Sequence, residues 1–332
     1  MALSLEYIQK IPPTVGQAEL ERQNRLVERI TELKRKKRAI ILCHNYQRPE
    51  VHRAADAVGD SYGLSVAATQ ASCDIIVFAG VRFMAETAYI LNPKKKVLLP
   101  EEMAGCALAD TITADQVRGL RGEHPGASVV MYINCSADVK AESDAICTSS
   151  NALKVVDAMP TDTVIFGPDA NLADVVRKKT KKHLIPWQGY CPVHQAVTRE
   201  MLEKTMEMFP EAVVIVHPEC NPDVVELADE VLSTSKMLEV IQQRPEKTFI
   251  VGTEIGLIQK AQALCPDKKI HPIYRHKSCD ESCACPFMKV TSLESIFRSL
   301  ETETVQITVD EPTRLRALKA VNRMLEIGLP AR

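Results

Sequence analysis

The chain has 332 residues, 25% of them charged, and a formal net charge of -2. That balance excludes the footprint of a nucleic-acid binder or a polybasic membrane face, and no apolar run approaches the ~20 residues that span a bilayer. Eleven cysteines, an odd number with no secretory signal before them, argue against a disulfide framework and for metal or redox chemistry in the cytoplasm.

Residues 1–16 carry Pro12, Pro13 and Gly16 and read as an irregular arm. Residues 17–36 then place Leu20, Val27, Ile30 and Leu33 at helical spacing, with the basic run Lys34 to Arg38 at the end, where cations suit the helix dipole. A unit begins here. Ala39 to Cys43 is a strand, Pro49-Glu50-Val51 starts a helix, and Ala57-Val58 is a short strand. Gly59-Asp60-Ser61 opens a helix through Ala71. Asp74 to Ala79 is a strand ended by Gly80, Arg82 to Leu91 is helical, and Val97 to Leu99 is a strand. This β-α-β-α-β-α-β run predicts a parallel sheet covered on both faces.

The layout recurs twice. AIILC leads into His44 and Tyr46, SVVM into Tyr132 and Asn134, and AVVIV into His217 and Glu219. A hydroxyl follows 17 positions after each first residue, at Ser61, Ser149 and Thr234. An acid stands 12 positions in, at Asp56, Asp144 and Asp229, and the helix-start triplet returns as Ala137-Asp138-Val139 and Pro222-Asp223-Val224. The later strands return too, as TVIFG ended by Gly167 with HLIP at 183–186, and TFIVG ended by Gly252 with IHPIY at 270–274. The repeat predicts an α/β protein of three units, overriding the two domains that length alone suggests. No G-x-G-x-x-G or Walker motif is present. The tail reads as a helix with a capping box at Thr291 and Glu294, then a strand at 305–309. The last helix has Pro312 near its start, apolar Leu315, Leu318, Val321 and Leu325, and Gly328 and Pro330 at its end.

In open parallel sheets, ligands sit beyond the carboxyl ends of the strands. That places His44, Tyr46, Tyr132, Asn134, His217 and Glu219 around one candidate site, with Ser61, Ser149 and Thr234 at helix starts. A lone hydroxyl there is ordinarily an N-cap; three at one repeat position suit the reception of carboxylate or phosphate. Past the last strand of each unit comes cysteine: Cys106, Cys191, and in the third unit Cys279, Cys283 or Cys285. Counted from the unit start, Cys106 falls at 62, Cys191 at 59, Cys279 at 62 and Cys285 at 68. Spacing favours Cys279, while Cys285-Pro286 echoes Cys191-Pro192. Of the others, Cys43, Cys73, Cys135, Cys147 and Cys265 read as small apolar core residues. Three thiolates about a pseudo-threefold axis can hold three irons of a [4Fe-4S] cluster and leave the fourth open as a Lewis acid. Zinc on three cysteines and a water is the competing metal.

The stretches HNYQRPEV, GDSYGLS, AGCALAD, MYINCSADVKAESDAICTSSNA, GYCPVH, HPECNPDV, STSKM, VGTEIGL and CPFMKV, spread over about 44–290, closely resemble the quinolinate synthase family. The resemblance implies three α/β/α domains in pseudo-threefold array, with boundaries at 1–110 plus 286–332, 111–195 and 196–285. It implies a transferase of NAD biosynthesis that condenses iminoaspartate with dihydroxyacetone phosphate, releasing phosphate and two waters. An aspartate-oxidising enzyme would supply the iminoaspartate. Carried over, Cys106, Cys191 and Cys285 are the ligands of one [4Fe-4S] cluster. His44, Ser61, Tyr132, Ile133, Asn134, Ser149, His217, Pro218, Glu219 and Thr234 line the substrate pocket, and Tyr46, His217 and Glu219 are the acid–base candidates. The third cysteine segment departs from the family's Cys-x2-Cys-x2-Cys: here it is Cys-x3-Cys-x-Cys, so Cys279 and Cys283 are a candidate redox pair.

Overall fold

Valine and isoleucine, stiff at χ1 and suited to a pleated surface, fill the first and third strands of every unit. In the computed structural model, which describes residues 15–273 and 283–328, they build three short sheets. The first unit contains β1 (Ala39–His44), β2 (Ala57–Gly59), β3 (Ile75–Ala79) and β4 (Lys96–Leu98). The second contains β5 (Ser128–Tyr132), β6 (Ala145–Cys147), β7 (Thr163–Gly167) and β8 (His183–Pro186). The third contains β9 (Val213–Val216), β10 (Glu230–Val231), β11 (Thr248–Gly252) and β12 (Lys269–Pro272). The four strands of each unit are parallel and run second-first-third-fourth. β13 (Gln306–Ile307) returns to pair antiparallel with β4. The register repeats as well: Ile41, Val129 and Val214, each three residues before its strand-end group, face Val77, Ile165 and Ile250.

Helices cover these sheets. The three helix-start triplets each open a short helix, at Pro49–His52, Ala137–Ala141 and Pro222–Val225. Among the described residues, no helix is long and apolar enough to cross a membrane. The terminal helix Glu311–Gly328 packs chiefly on helix Ala137–Ala141 and β6, so the end of the chain reaches the second unit while β13 stays on the first. Its buried stripe is Ala317, Ala320, Val321 and Met324, whereas Leu315 is 46% exposed.

The repeated acid is a clasp. Asp56 Oδ2 accepts from Ile41 N at 2.7 Å, Asp144 Oδ2 from Val129 N at 2.7 Å, and Asp229 Oδ2 from Val214 N at 2.8 Å. In return the amides of Asp56, Asp144 and Asp229 donate to the carbonyls of Ile41, Val129 and Val214. Each pair pins the second strand's entry to the first strand, satisfying a strand-edge amide that would otherwise lack a partner. Replacing any one of these acids with alanine is expected to cost about 1–3 kcal/mol, because it leaves the strand amide without its partner. Denaturant midpoints of the three variants check this.

Several boundaries shift from the sequence reading. The box predicted at Thr291 and Glu294 sits one residue later: Ser292 and Ser295 cap each other's backbones at 3.1 and 2.9 Å. The shift starts the helix at Leu293 and turns Leu293, Ile296 and Leu300 into the first unit's core. Glu294 instead meets Arg22. The predicted arm up to Thr14, the end of the 270–274 strand and Cys279 of the candidate redox pair lie outside the described residues.

Candidate active site

At the carboxyl ends of β1, β5 and β9 the three units face one cavity of about 110 Å³. Its wall includes His44, Tyr46, Tyr132, Asn134, His217 and Glu219, one pair from each unit. Ser61, Ser149 and Thr234 line it, as do Cys106, Cys191 and Cys285. Ile133 and Pro218, in the bend after β5 and the turn after β9, are not among the residues lining it. The amide of Ile133 is bound to Cys147 O at 2.8 Å. Gly256 lets the third unit approach this closely: a Cβ there would stand 2.6 Å from the Tyr46 carbonyl oxygen.

The hydroxyls are not caps. Asp60 caps the helix at Ser61, accepting from Gly63 N at 2.8 Å. Ser233 occupies the cap position before Thr234. Ser149 lies before its helix, which starts at Ala152, because Asn151 Oδ1 takes Thr148 N at 2.7 Å and holds the intervening residues in a turn. The predicted helix start at Ser149 is thus corrected by an Asn-stabilised turn.

The two strand-end histidines share one geometry. Tyr46 N donates to His44 Nδ1 at 3.2 Å, and Glu219 N donates to His217 Nδ1 at 3.3 Å. Burial pulls both imidazoles down to about 3. They are therefore neutral, accept at Nδ1 and carry the proton on Nε2, which makes each a hydrogen-bond donor on the cavity wall.

Glu219 is the hub. Tyr132 donates its hydroxyl to Oε1 at 2.6 Å, and His194 Nδ1 lies 2.9 Å from Oε2. Burial alone would raise this carboxyl, but the hydrogen bonds it accepts from His194 and Tyr132 oppose that and hold the group ionised. A carboxylate only accepts, so His194 carries its proton on Nδ1 and its Nε2 accepts from Thr253 Oγ1 at 3.0 Å. Thr253 in turn takes the Tyr46 hydroxyl at 2.7 Å. A directed chain thus runs from Tyr46 through Thr253 and His194 to Glu219. Burial, and then the Glu219 charge, push Tyr46 and Tyr132 well above the usual phenol range, so both hold their protons.

His194 and Thr253 were missed by the sequence reading. His194 sits three residues after Cys191 in GYCPVH, and Thr253 follows the third-strand glycine in VGTE; neither falls at the end of a unit's first strand or at the repeated hydroxyl position. His194 Nδ1 also lies 3.2 Å from Cys191 Sγ. Cys191, His194 and Glu219 bring their ligand atoms within 4.8 Å of one another, a group able to hold a metal.

The three cysteines form a second set. Among the described cysteines only Cys106, Cys191 and Cys285 are partly exposed; the other seven are buried, the five predicted core cysteines among them. Each of the three faces the amides two and three residues ahead: Leu108 and Ala109, Val193 and His194, Phe287 and Met288. Burial pushes all three thiols up, Cys106 to about 12, and these amides oppose it. Cys191 and Cys285 immediately precede the short helices Pro192–Gln195 and Pro286–Lys289. Glu254 fixes the last of them by accepting Cys285 N at 3.0 Å while pairing with Lys289. One donor nest, used three times around one cavity, fits thiolate ligation of a shared metal centre.

A family model described as Quinolinate synthetase A protein matches residues 28–326. The chain is 48% identical to the quinolinate synthase of Thermodesulfovibrio yellowstonii over 305 residues, covering 92% of this chain and 99% of that one. It is 45% identical to the quinolinate synthase of Alkaliphilus metalliredigens over 306 residues, 92% and 99% of the two chains. Quinolinate synthase 1 of Methanosarcina acetivorans is 47% identical over 302 residues, 91% and 97%. With the family model spanning most of its length and such relatives matched nearly end to end, the chain belongs to the quinolinate synthase family.

Proposed function

We propose that this protein condenses iminoaspartate with dihydroxyacetone phosphate to quinolinate, releasing phosphate and two waters, as a transferase of NAD biosynthesis. The observation that carries the reading is the threefold cysteine nest opening on the cavity that also holds the Tyr46–Glu219 chain. In this reading the chain divides at 1–110 with 286–332, 111–195 and 196–285, one ligand coming from each part. Cys106, Cys191 and Cys285 hold a [4Fe-4S] cluster. When bound, the cluster supplies an open iron as Lewis acid, able to make a substrate hydroxyl a better leaving group.

The remaining work falls to the chain. Both substrates are anions, and the donors that receive them are His44 and His217 Nε2, the Asn134 amide and the hydroxyls of Ser61, Ser149 and Thr234. Ile133 and Pro218 contribute backbone shape between those side chains. Imine formation moves protons from nitrogen to a departing oxygen, and enolisation moves one from carbon to oxygen. Tyr46 and Glu219 are the proton-transfer groups, joined through Thr253 and His194 by hydrogen bonds that pass a proton from Tyr46 toward Glu219, while Tyr132 donates to Glu219 directly. An aspartate-oxidising enzyme is the expected supplier of iminoaspartate.

A second reading rests on the Cys191–His194–Glu219 group, which could hold one zinc ion; it leaves Cys106 and Cys285 without a role. Anaerobic reconstitution with iron and sulfide, followed by assay of quinolinate and phosphate from the two substrates, separates the readings. A brown protein that forms both products supports the first. A colourless protein holding one zinc overturns it.

A further inference from the structure

Lys260 lies in the helix Ile255–Leu264 of the third unit and is 1% exposed. Its Nζ donates to Asn45 Oδ1 at 2.6 Å. Asn45 is the middle residue between His44 and Tyr46; the matching positions hold the apolar Ile133 and Pro218. Asn45 stands in the turn after β1 and does not line the cavity, yet its side chain reaches a residue that does. Asn45 Nδ2 donates to Thr234 Oγ1 at 2.9 Å and meets Ser235 Oγ at 3.5 Å. This chain has a direction. An amine on Asn45 Oδ1 fixes the amide so that its NH2 group faces Thr234. Thr234 Oγ1 must then accept, and its own proton is left to point elsewhere.

We infer that Lys260 and Asn45 are positioning residues that turn the Thr234 hydroxyl into a donor toward an anionic group in the cavity, a carboxylate or phosphate of the ligand. The inference rests on the function proposed above. Burial pulls Lys260 down to about 7, and the neutral amine still keeps N–H donors for Asn45. Reversing the middle link reverses the end. An aspartate at 45 keeps the partner of Lys260 but can only accept, so it draws the Thr234 proton to itself and turns the oxygen lone pairs toward the anion.

The test is quinolinate and inorganic phosphate binding to the reconstituted holoenzyme by calorimetry, for wild type, Asn45→Asp, Thr234→Ala and the double variant. Asn45→Asp is expected to weaken quinolinate binding roughly tenfold or more in the wild-type background. In the Thr234→Ala background it is expected to change binding less than about twofold, because no hydroxyl remains to be turned. Thermal midpoints confirm folding, and Lys260→Gln, whose amide frees Asn45 to flip, carries the same comparison should Asn45→Asp not fold. Equal losses in both backgrounds would show a charge effect on the cavity and overturn the inference alone. Wild-type holoenzyme that binds neither probe would overturn the proposed function as well.

Discussion

Serine at position 106, 191 or 285 is expected to give a folded, colourless protein without turnover. Each thiol is only partly buried, so exchanging sulfur for oxygen disturbs little packing. A serine hydroxyl does not ionise near neutral pH and is a poor iron ligand, so one substitution removes one corner of a three-ligand centre. Iron and sulfide content, visible absorption and quinolinate formation are the measurements. Cys147→Ser is the contrast. Cys147 is fully buried on β6, and placing a hydroxyl there is expected to cost about 1–3 kcal/mol while leaving iron content intact. Full turnover by any of the three serine variants would strike that cysteine from the ligand set.

Glu219→Gln is expected to lower kcat by roughly 100- to 10,000-fold at unchanged iron content, the range for losing a positioned proton-transfer group. The side chain keeps its size but loses its charge and gains an NH2 group. Two donors, the Tyr132 hydroxyl and His194 Nδ1, now meet an amide with one acceptor oxygen. Either Tyr132 or His194 must turn, and a turned His194 breaks the link to Thr253 and Tyr46. Tyr132→Phe leaves that link standing and is expected to show a smaller loss. A Glu219→Gln enzyme with wild-type kcat would remove the carboxylate from the chemistry.

Much of this arrangement was legible in the sequence, because strand and helix repeats have fixed lengths. Seventeen positions from His44 to Ser61 are one strand end, one short helix, one strand and one turn, and the same count recurs in the other units. The acid at Asp56, Asp144 and Asp229 was legible as a landmark, but its partner was not, since a clasp to a strand amide is a contact and contacts have no period. His194 and Thr253 escaped for a related reason. Each takes its meaning from a residue in another unit, Glu219 for one and Tyr46 for the other. The choice between Cys279 and Cys285 turned on spacing against local chemistry. The amides of Phe287 and Met288 support Cys285, repeating what surrounds Cys106 and Cys191.

The shared cavity has a thermodynamic corollary. Its walls belong to three separate sheets, so whatever binds there is gripped by all of them and by none of them alone. Ligand or metal occupancy then acts as a rivet, adding its binding free energy to the cohesion among the thirds of the chain. Loosening any third would empty the rivet hole, and the loaded protein should therefore melt as one body even where the unloaded chain comes apart in stages.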